Sequence, residues 1–185
     1  ISRTMSFGFV LVGGRSSRMG RDKALLPYRG RPMALHQAGK LAFVCGRAAL
    51  VGKDPRPFEG APYPFVLDGA EPHAAAFGVL AALSWSPVEL NVIVAADLPR
   101  CPEAFLAALL AAAEEAPAAP AVVPVVGGHL QTLCAAWRRS ALLPLTKRVA
   151  DGSYSLRDVL TSMGAVLVPE SEIATWPGGS AESFF

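Results

Sequence analysis

The chain is organised around the sequence Leu11-Val-Gly-Gly-Arg-Ser-Ser-Arg-Met-Gly-Arg-Asp-Lys-Ala-Leu-Leu26. The apolar run Phe7–Val12 leads into it and stops at Gly13 and Gly14, which is typical of a buried parallel strand followed by a loop. Ligands of open α/β sheets bind at the carboxyl ends of the strands, where such a loop lies. Glycines allow close approach of the backbone and positive φ, and consecutive N–H groups in that geometry bind anions. We therefore expect a ligand-binding loop directly after the first strand.

Positive charge is concentrated in and just after this loop. Six of the chain's seventeen Lys and Arg residues lie here against the single acid Asp22, namely Arg15, Arg18, Arg21, Lys23, Arg29 and Arg31. The formal net charge of the whole chain is only +2, so the concentration is local. It favours a phosphorylated ligand, whereas the alternative is a solvated loop rich in Gly and Arg.

The spacing of the loop residues distinguishes it from two common phosphate-binding motifs. A Walker motif needs Gly-Lys-Ser/Thr, and the dinucleotide fingerprint needs G-x-G-x-x-G opening a helix; neither pattern fits here. The loop instead resembles the signature L-x-G-G-x-S-x-R-M-G-x-D-K of the molybdenum cofactor guanylyltransferase family. The matching positions are Leu11, Gly13, Gly14, Ser16, Arg18, Met19, Gly20, Asp22 and Lys23.

This resemblance implies a nucleotidyltransferase with a Rossmann-like fold. It implies that Leu11, Gly13, Gly14 and Lys23 bind the nucleotide and that Arg18 and Lys23 act in catalysis on the triphosphate. In the family Gly-Gly goes with guanine and Ala-Gly with cytosine. We therefore expect Gly13 to leave room for a purine edge, and Gly13→Ala to narrow the preference for GTP over CTP.

Alternating strand and helix patterns predict a three-layer α/β fold, in which a mostly parallel central sheet carries helices on both faces. A small hairpin is expected at Gly127-Gly128. The polar tail from Glu170, with Pro177-Gly178-Gly179, is expected to be poorly ordered. The predicted strands are Phe7–Val12, Ala48–Val51, Phe65–Leu67, Asn91–Ala96, Val122–Val126, Leu130–Trp137 and Val166–Val168, and the predicted helices are Pro32–Phe43, Ala74–Ser84, Glu103–Glu115, Leu142–Ala150 and Leu156–Ser162.

Asp97 follows the predicted central strand, and Leu98-Pro99 stops the chain from continuing as strand or helix. A carboxylate there suits Mg²⁺, which prefers one or two carboxylates together with phosphate oxygens and water. The alternative is an aspartate that caps the following helix. By resemblance, Asp97 is a catalytic, nucleotide-binding and metal-binding residue, because the family has an aspartate followed one residue later by proline at its metal site.

Asp68 also ends a predicted strand and resembles the family's other active-site aspartate, which implies a nucleotide-binding role. A turn aspartate before Gly69 explains it equally well. Between the two aspartates the family has Gly-Pro-Leu-Ala-Gly, whereas this chain has Ala74-Ala75-Ala76-Phe77-Gly78. Gly78 is therefore the one residue retained, as a nucleotide-binding position by resemblance. The other four positions differ from the family pattern, and this difference affects the base and ribose contacts that the resemblance implies.

The composition excludes several classes of protein. A length of 185 residues suits one domain, predicted over residues 5–185, and the small net charge argues against nucleic-acid binding. No apolar run reaches the ~20 residues of a membrane span. Three widely spaced cysteines without a C-x-x-C pair favour reduced thiols in a cytoplasmic protein.

The resemblance implies that the protein transfers GMP from GTP to the phosphate of molybdopterin, releases pyrophosphate and uses Mg²⁺. Transient contact with other molybdenum cofactor proteins is a further expectation of the same kind. Two alternatives stay open at this point. One is a cytidylyltransferase or another NTP transferase with a small phosphorylated acceptor; the other is a catalytically silent nucleotide-binding module.

Overall fold

A mixed sheet forms the middle layer of the protein. The computed structural model describes residues 5–13, 22–69 and 74–184. Within these ranges the strands are β1 (Ser6–Leu11), β2 (Pro27–Tyr28), β3 (Arg31–Pro32), β4 (Ala48–Gly52), β5 (Phe65–Leu67), β6 (Leu90–Ala95), β7 (Ala121–Val126), β8 (His129–Leu130), β9 (Cys134–Arg138) and β10 (Val166–Val168). The main sheet has the order β10-β7-β9-β6-β1-β4-β5, with β8 paired to β7, whereas β2 and β3 form a separate ribbon.

Strand β1 lies in the centre of a parallel group. It pairs in parallel with β4 and β6, and β4 pairs in parallel with β5. Leu11 lies level with Val51 on one side and with Ala95 on the other, so these strands end at one edge of the sheet. Strand β9 runs antiparallel to β6 and β7, while β10 is parallel to β7. The predicted mostly parallel sheet is confirmed.

Helices cover both faces of the sheet, as predicted. The described helices are α1 (Met33–Cys45), α2 (Ala75–Trp85), α3 (Glu103–Glu115), α4 (Leu142–Ala150), α5 (Leu156–Ser162) and α6 (Glu170–Ile173). Residues of β1 point alternately to two apolar clusters. Val10 belongs to the cluster with Leu41 of α1 and Leu109 of α3, whereas Phe9 belongs to the cluster with Leu83 of α2 and Leu160 of α5.

The predicted hairpin is present at Gly127-Gly128. Both glycines have positive φ, +57° and +76°, and Val126 pairs with His129 across the turn. The strand predicted at Leu130–Trp137 is divided, because the pairing of β8 with β7 ends at Leu130 and β9 begins at Cys134. Strand β9 then lies between β7 and β6, so this part of the chain belongs to the central sheet.

The expectation of a poorly ordered tail is wrong. Helix α6 and a 3₁₀ helix at Ala181–Phe184 lie in it, and the rings of Trp176 and Phe184 contact Phe105 with centroids 5.5 and 5.1 Å away. A Cβ on Gly179 would lie 1.9 Å from the carbonyl oxygen of Ile173. Glycine is therefore used here for a tight turn that returns the chain to the core. The sequence Pro177-Gly178-Gly179 therefore forms a turn that allows the tail to pack on Phe105.

No helix among the described residues combines the length and the apolar character that a membrane crossing requires.

The packing of the tail predicts a difference between two phenylalanines. Phe184→Ala should lower the free energy of unfolding by about 3–5 kcal/mol, because Phe184 is 6% exposed and its loss leaves a cavity beside Phe105. Phe43→Ala is the control, since Phe43 is 77% exposed on α1 and its removal should change stability by at most about 0.5 kcal/mol. Urea unfolding measures both. Equal effects of the two substitutions would show that the tail does not pack as described.

Candidate functional site

A cavity of about 510 Å³ opens where the parallel strands end. Its walls come from the residues that follow β1, β4, β5 and β6 and from the first turn of α2. Every described residue that the sequence predicted as a site residue lines it, namely Leu11, Gly13, Lys23, Asp68, Gly78 and Asp97. Gly14 and Arg18, also predicted, lie outside the described residues. The arrangement therefore joins positions up to 86 residues apart in the chain, from Leu11 to Asp97, in one concave site.

Lys23 and Asp97 face each other in this cavity. Lys23 begins a 3₁₀ helix, Lys23–Leu25, whose N-terminus is capped by the Asp22 carboxylate accepting a hydrogen bond from the Ala24 N–H at 2.9 Å. Ala24 is buried and anchors this turn, which leaves Lys23 directed toward the cavity. The Lys23 Nζ lies 3.6 Å from the Asp97 Oδ2.

The Lys23–Asp97 pair contributes little to stability. Its side chains are 53% and 45% exposed, and exposed pairs of this kind are typically worth about 0–1 kcal/mol. A separation of 3.6 Å is also longer than the roughly 2.7–3.2 Å of a good N–H···O hydrogen bond. The alternative in which Asp97 caps the following helix is wrong, because the N-cap of α3 is Pro102 and no side chain caps it. A ligand can therefore enter between the two charges without breaking a strong bond.

A second lysine, which the sequence reading missed, lies in the same cavity. Lys53 directly follows β4, and its Nζ lies 3.6 Å from the Asp68 Oδ1 and donates a hydrogen bond to the Asp68 carbonyl oxygen at 3.2 Å. The Asp68 side chain is only 11% exposed, so it is held more firmly than Asp97. Lys53 could have been found by the rule that identified both aspartates, since it too stands at the carboxyl end of a parallel strand.

The two aspartates lie at different ends of the cavity. Asp68 follows β5 and Asp97 follows β6, and three inter-strand steps separate these strands in the sheet. At about 4.8 Å a step, the strand ends are roughly 14 Å apart, which is too far for two carboxylates to hold one ion. No group of three or more His, Cys, Asp or Glu side chains among the described residues could hold a metal ion. A divalent ion here would take Asp97 and complete its coordination from a ligand and water.

Two glycines shape the floor of the cavity. Gly13 has φ of +93°, and a Cβ built on it meets no described atom within 4 Å. The positive φ is therefore sufficient to explain why residue 13 is glycine. The expected crowding of a purine by a methyl group at this position is not needed as an explanation. At Gly52 the reverse holds, because a Cβ there would lie 2.5 Å from the Val12 carbonyl oxygen. Gly52 lets the ends of β1 and β4 lie close together.

The segment that departs from the family pattern forms the first turn of α2. Ala74 is its N-cap with φ of −139°, a conformation open to any residue, so a glycine at this position is not demanded by the backbone. Ala74, Ala75 and Gly78 line the cavity, and a Cβ on Gly78 would lie 3.2 Å from the Leu11 side chain. The retained Gly78 thus allows α2 to pack closely on β1.

Two buried thiols lie beside the Asp97 loop. The Sγ atoms of Cys101 and Cys134 are 3.9 Å apart, and no disulfide joins any of the chain's three cysteines, all of which are described. The hydrogen bond with Cys101 and burial raise the pKa of the Cys134 thiol well above its ordinary value. The absence of a disulfide among them agrees with the reduced thiols that the sequence predicts.

The other residues of the predicted charge cluster that the structure describes do not line the cavity. Arg29 and Arg31 lie at the β2–β3 ribbon, where the guanidinium of Arg29 stacks over the Tyr28 ring at 5.5 Å. Arg15, Arg18 and Arg21 lie outside the described residues. The described positive charge of the cavity comes from Lys23 and Lys53.

A mostly parallel sheet between two helical layers, with a cavity across the strand ends, is typical of nucleotide-binding α/β proteins. Comparison with known proteins makes this specific. The family model described as MobA-like NTP transferase domain matches residues 8–166. The chain belongs to this family of nucleotidyltransferases.

Relatives of known name agree with this assignment. The chain is 32% identical over 165 residues to a probable molybdenum cofactor guanylyltransferase of Chloroflexus aggregans, covering 86% of this chain and 78% of the relative. It is 32% identical over 150 residues to a molybdenum cofactor biosynthesis bifunctional protein of Synechocystis, of which the match spans only 43%. Among solved structures, molybdopterin-guanine dinucleotide biosynthesis protein A of Archaeoglobus fulgidus has the same fold, with a TM-score of 0.75 at 22% identity over 90% of this chain and 85% of that one.

The contact at Gly52 predicts a loss of both stability and nucleotide binding. Gly52→Ala forces β1 and β4 apart beside Gly13 and should cost about 1–3 kcal/mol in the free energy of unfolding. Nucleotide affinity should fall at least about tenfold, or ~1.4 kcal/mol. Gly39→Ala is the control: this helix residue meets its neighbours at 3.7 Å, so alanine should be neutral or add about 0.5–1 kcal/mol. Urea unfolding and nucleotide titration measure both variants; unchanged affinity in Gly52→Ala would mean that this contact does not shape the site.

Proposed function

We propose that this protein transfers GMP from GTP to the phosphate of molybdopterin and releases pyrophosphate. Its membership of the MobA-like family and the printed name of its Chloroflexus relative support this reaction. The observation that carries the proposal is the Lys23–Asp97 pair, which is exposed, loosely held and located at the end of a strand-edge cavity next to Gly13.

The triphosphate is assigned to the end of the cavity that holds Gly13, Lys23 and Asp97. The backbone N–H groups of Gly13 and Gly14 would bind phosphate oxygens, and Lys23 and Arg18 would neutralise their charge. The nucleoside is assigned to the other end, toward Gly78, Asp68 and Lys53. The roughly 14 Å between the ends of β5 and β6 suits a ligand of nucleotide length.

The chemistry requires positioning and charge neutralisation more than covalent help from the protein. An oxygen of the acceptor phosphate attacks the α-phosphorus of GTP. A new P–O bond forms, the bond from the α-phosphorus to the bridging oxygen breaks, and that oxygen leaves with the electron pair as part of pyrophosphate. Lys23 lies where it can offset the negative charge that gathers on the phosphate oxygens.

Asp97 is proposed to hold Mg²⁺. Its carboxylate is 45% exposed and lines this end of the cavity, which fits an ion bound mainly by phosphate oxygens and water. When bound, Mg²⁺ would neutralise phosphate charge and orient the triphosphate. Lys23 and Asp97 would thus have complementary roles at the same end of the cavity. The lysine would bind phosphate, and the aspartate would bind the cation that the phosphate also binds.

The Lys53–Asp68 pair is proposed to recognise guanine. The guanine edge carries the O6 acceptor beside N–H donors, and the pair offers an ammonium donor beside a carboxylate acceptor. Cytosine lacks this sequence of groups, so a site built for guanine leaves its own polar groups unsatisfied with CTP. A cytoplasmic location and transient contact with other molybdenum cofactor proteins complete the proposal.

Substitutions of the Lys23–Asp97 pair test the mechanism. Asp97→Asn keeps the shape but removes the charge that holds Mg²⁺, so turnover should fall at least about a hundredfold, or ~2.7 kcal/mol. Lys23→Ala should lower turnover at least about tenfold. Steady-state pyrophosphate release measures both.

The melting temperatures of both variants provide the control, because exposed residues contribute little packing and the fold should survive. GTP binding without metal should weaken little in Asp97→Asn. Intact turnover in Asp97→Asn would remove Asp97 from the metal site, and intact turnover in Lys23→Ala would remove the lysine from the mechanism.

Competition between nucleotides tests the choice of base. GTP should bind at least about tenfold, or ~1.4 kcal/mol, more tightly than CTP. Asp68→Asn should narrow this gap, because the amide can no longer accept hydrogen bonds as a carboxylate does. Gly13→Ala should instead weaken both nucleotides alike, since φ of +93° strains alanine whatever the base. Equal binding of CTP and GTP to the unaltered protein would defeat the guanine assignment and leave the transferase standing.

A further inference from the structure

Two polar side chains of α1 bind the backbone of the loop that carries Asp97. The Gln37 Nε2 donates a hydrogen bond to the Leu98 carbonyl oxygen at 2.6 Å. The Lys40 Nζ donates to the carbonyl oxygens of Pro99 and Cys101 at 2.6 and 2.8 Å. Three of the four carbonyl groups from 98 to 101 are therefore fixed by one helix.

The loop has few other means of holding its shape. Pro99 and Pro102 have no N–H group, so part of the backbone cannot donate hydrogen bonds. The Cys101 N–H donates to the Leu98 carbonyl oxygen at 3.2 Å, which closes a single turn. Side-chain donors from α1 add further restraint, and they act within one to four residues of Asp97.

The same helix also supports Lys23. The Met33 N–H at the start of α1 donates to the Leu26 carbonyl oxygen at 2.9 Å, and the Leu26 N–H donates to the Lys23 carbonyl oxygen at 3.2 Å. Ala24 and Ala34 are both buried in the cluster that holds α1 against the sheet. One rigid helix thus connects the backbone of Lys23 with the backbone beside Asp97.

These polar groups are held in an unfavourable environment. Gln37 is 1% exposed, and its Oε1 has no hydrogen-bond partner among the described residues. Burial lowers the pKa of Lys40, although the Cys101 thiol and Glu103 oppose this shift. The hydrogen bonds to the Asp97 loop offset this cost, and apolar side chains could not supply them.

We infer that Gln37 and Lys40 are positioning residues, which fix the Asp97 loop so that its carboxylate and Lys23 meet a metal–nucleotide ligand in one arrangement. The inference rests on the proposed function, because it assigns these residues to the metal and phosphate end of that site. Neither side chain lines the cavity, so they act through the loop they hold. Rigid support of this kind matters because small displacements of reacting groups lower rates strongly.

Lys40→Met tests the inference, because it keeps a long apolar stem and removes both hydrogen bonds. We expect kcat to fall at least about tenfold. The KM for GTP should change less than about threefold, because Gly13, Lys23 and the Lys53–Asp68 pair are unchanged. Half-maximal activity should require more Mg²⁺, because the Asp97 carboxylate is held less firmly. Lys40→Arg should recover most of the lost activity, since its guanidinium can donate to the same carbonyl groups. Lys147→Met is the matched control on the exposed face of α4.

A second measurement is independent of transfer activity. The increase in melting temperature caused by GTP should be larger with Mg²⁺ than without it in the unaltered protein, and Lys40→Met should lose the additional increase while retaining the metal-free one. Gln37→Leu should act in the same direction and serves as the test if Lys40→Met does not fold. Unchanged kcat and unchanged Mg²⁺ dependence in folded variants of both residues would overturn the inference.

The two proposals fail in different ways. If the unaltered protein binds Mg²⁺ and GTP together but transfers nothing to molybdopterin, the proposed function is wrong, and the loss of the Mg²⁺ effect in Lys40→Met still supports positioning. If the unaltered protein transfers GMP and the variants match it, positioning is wrong and the function stands. If Mg²⁺ changes neither binding nor activity of the unaltered protein, both the metal assignment and the positioning inference are overturned.

Discussion

The site depends on the close lateral packing of four parallel strand ends. β5, β4, β1 and β6 stop at one edge, and the chain continues from them in register: the Val12 N–H donates to Val51, the Ala96 N–H to Leu11 and the Asp68 N–H to Gly52. This packing tolerates no extra atoms, since a Cβ on Gly52 would reach the Val12 carbonyl oxygen. The residues that follow these strands therefore lie around one site, however far apart they are in the sequence.

The charges at this edge are arranged for a ligand. The exposed Lys23–Asp97 pair and the more buried Lys53–Asp68 pair occupy opposite ends of the cavity. Each lysine lies beside a carboxylate of opposite charge. Under the proposed function, a triphosphate with its metal ion would satisfy both members of the first pair at once.

Helix α1 links these features to the core. A Cβ on Gly8 would lie 2.5 Å from the Leu41 Cβ, so the glycine lets α1 lie directly on β1. From that position the helix reaches the Lys23 turn at its first residue and the Asp97 loop through Gln37 and Lys40. Packing at the core thus sets the geometry at the edge.

The sequence by itself predicted the order of the longer strands and helices, the glycine turn after β1, the position of Asp97 at the end of the central strand and the family. These features are local: apolar runs, glycines and prolines act on their immediate neighbours, so they can be recognised in a short stretch. The difference from glycine at Ala74 is visible in the sequence, but only the φ of −139° shows that the backbone does not require glycine there.

Tertiary structure alone decided which groups meet. The hydrogen bonds from Gln37 and Lys40 join residues 59 to 61 positions apart, and Lys53 pairs with Asp68, which lies 15 positions away just after the neighbouring strand. The order of the tail could not be predicted, because a Pro-Gly-Gly sequence is equally compatible with disorder and with a tight turn, and the contacts with Phe105 decide between them. Local pattern specifies what each segment can form, whereas the free energy of packing between distant segments selects the partners of each side chain.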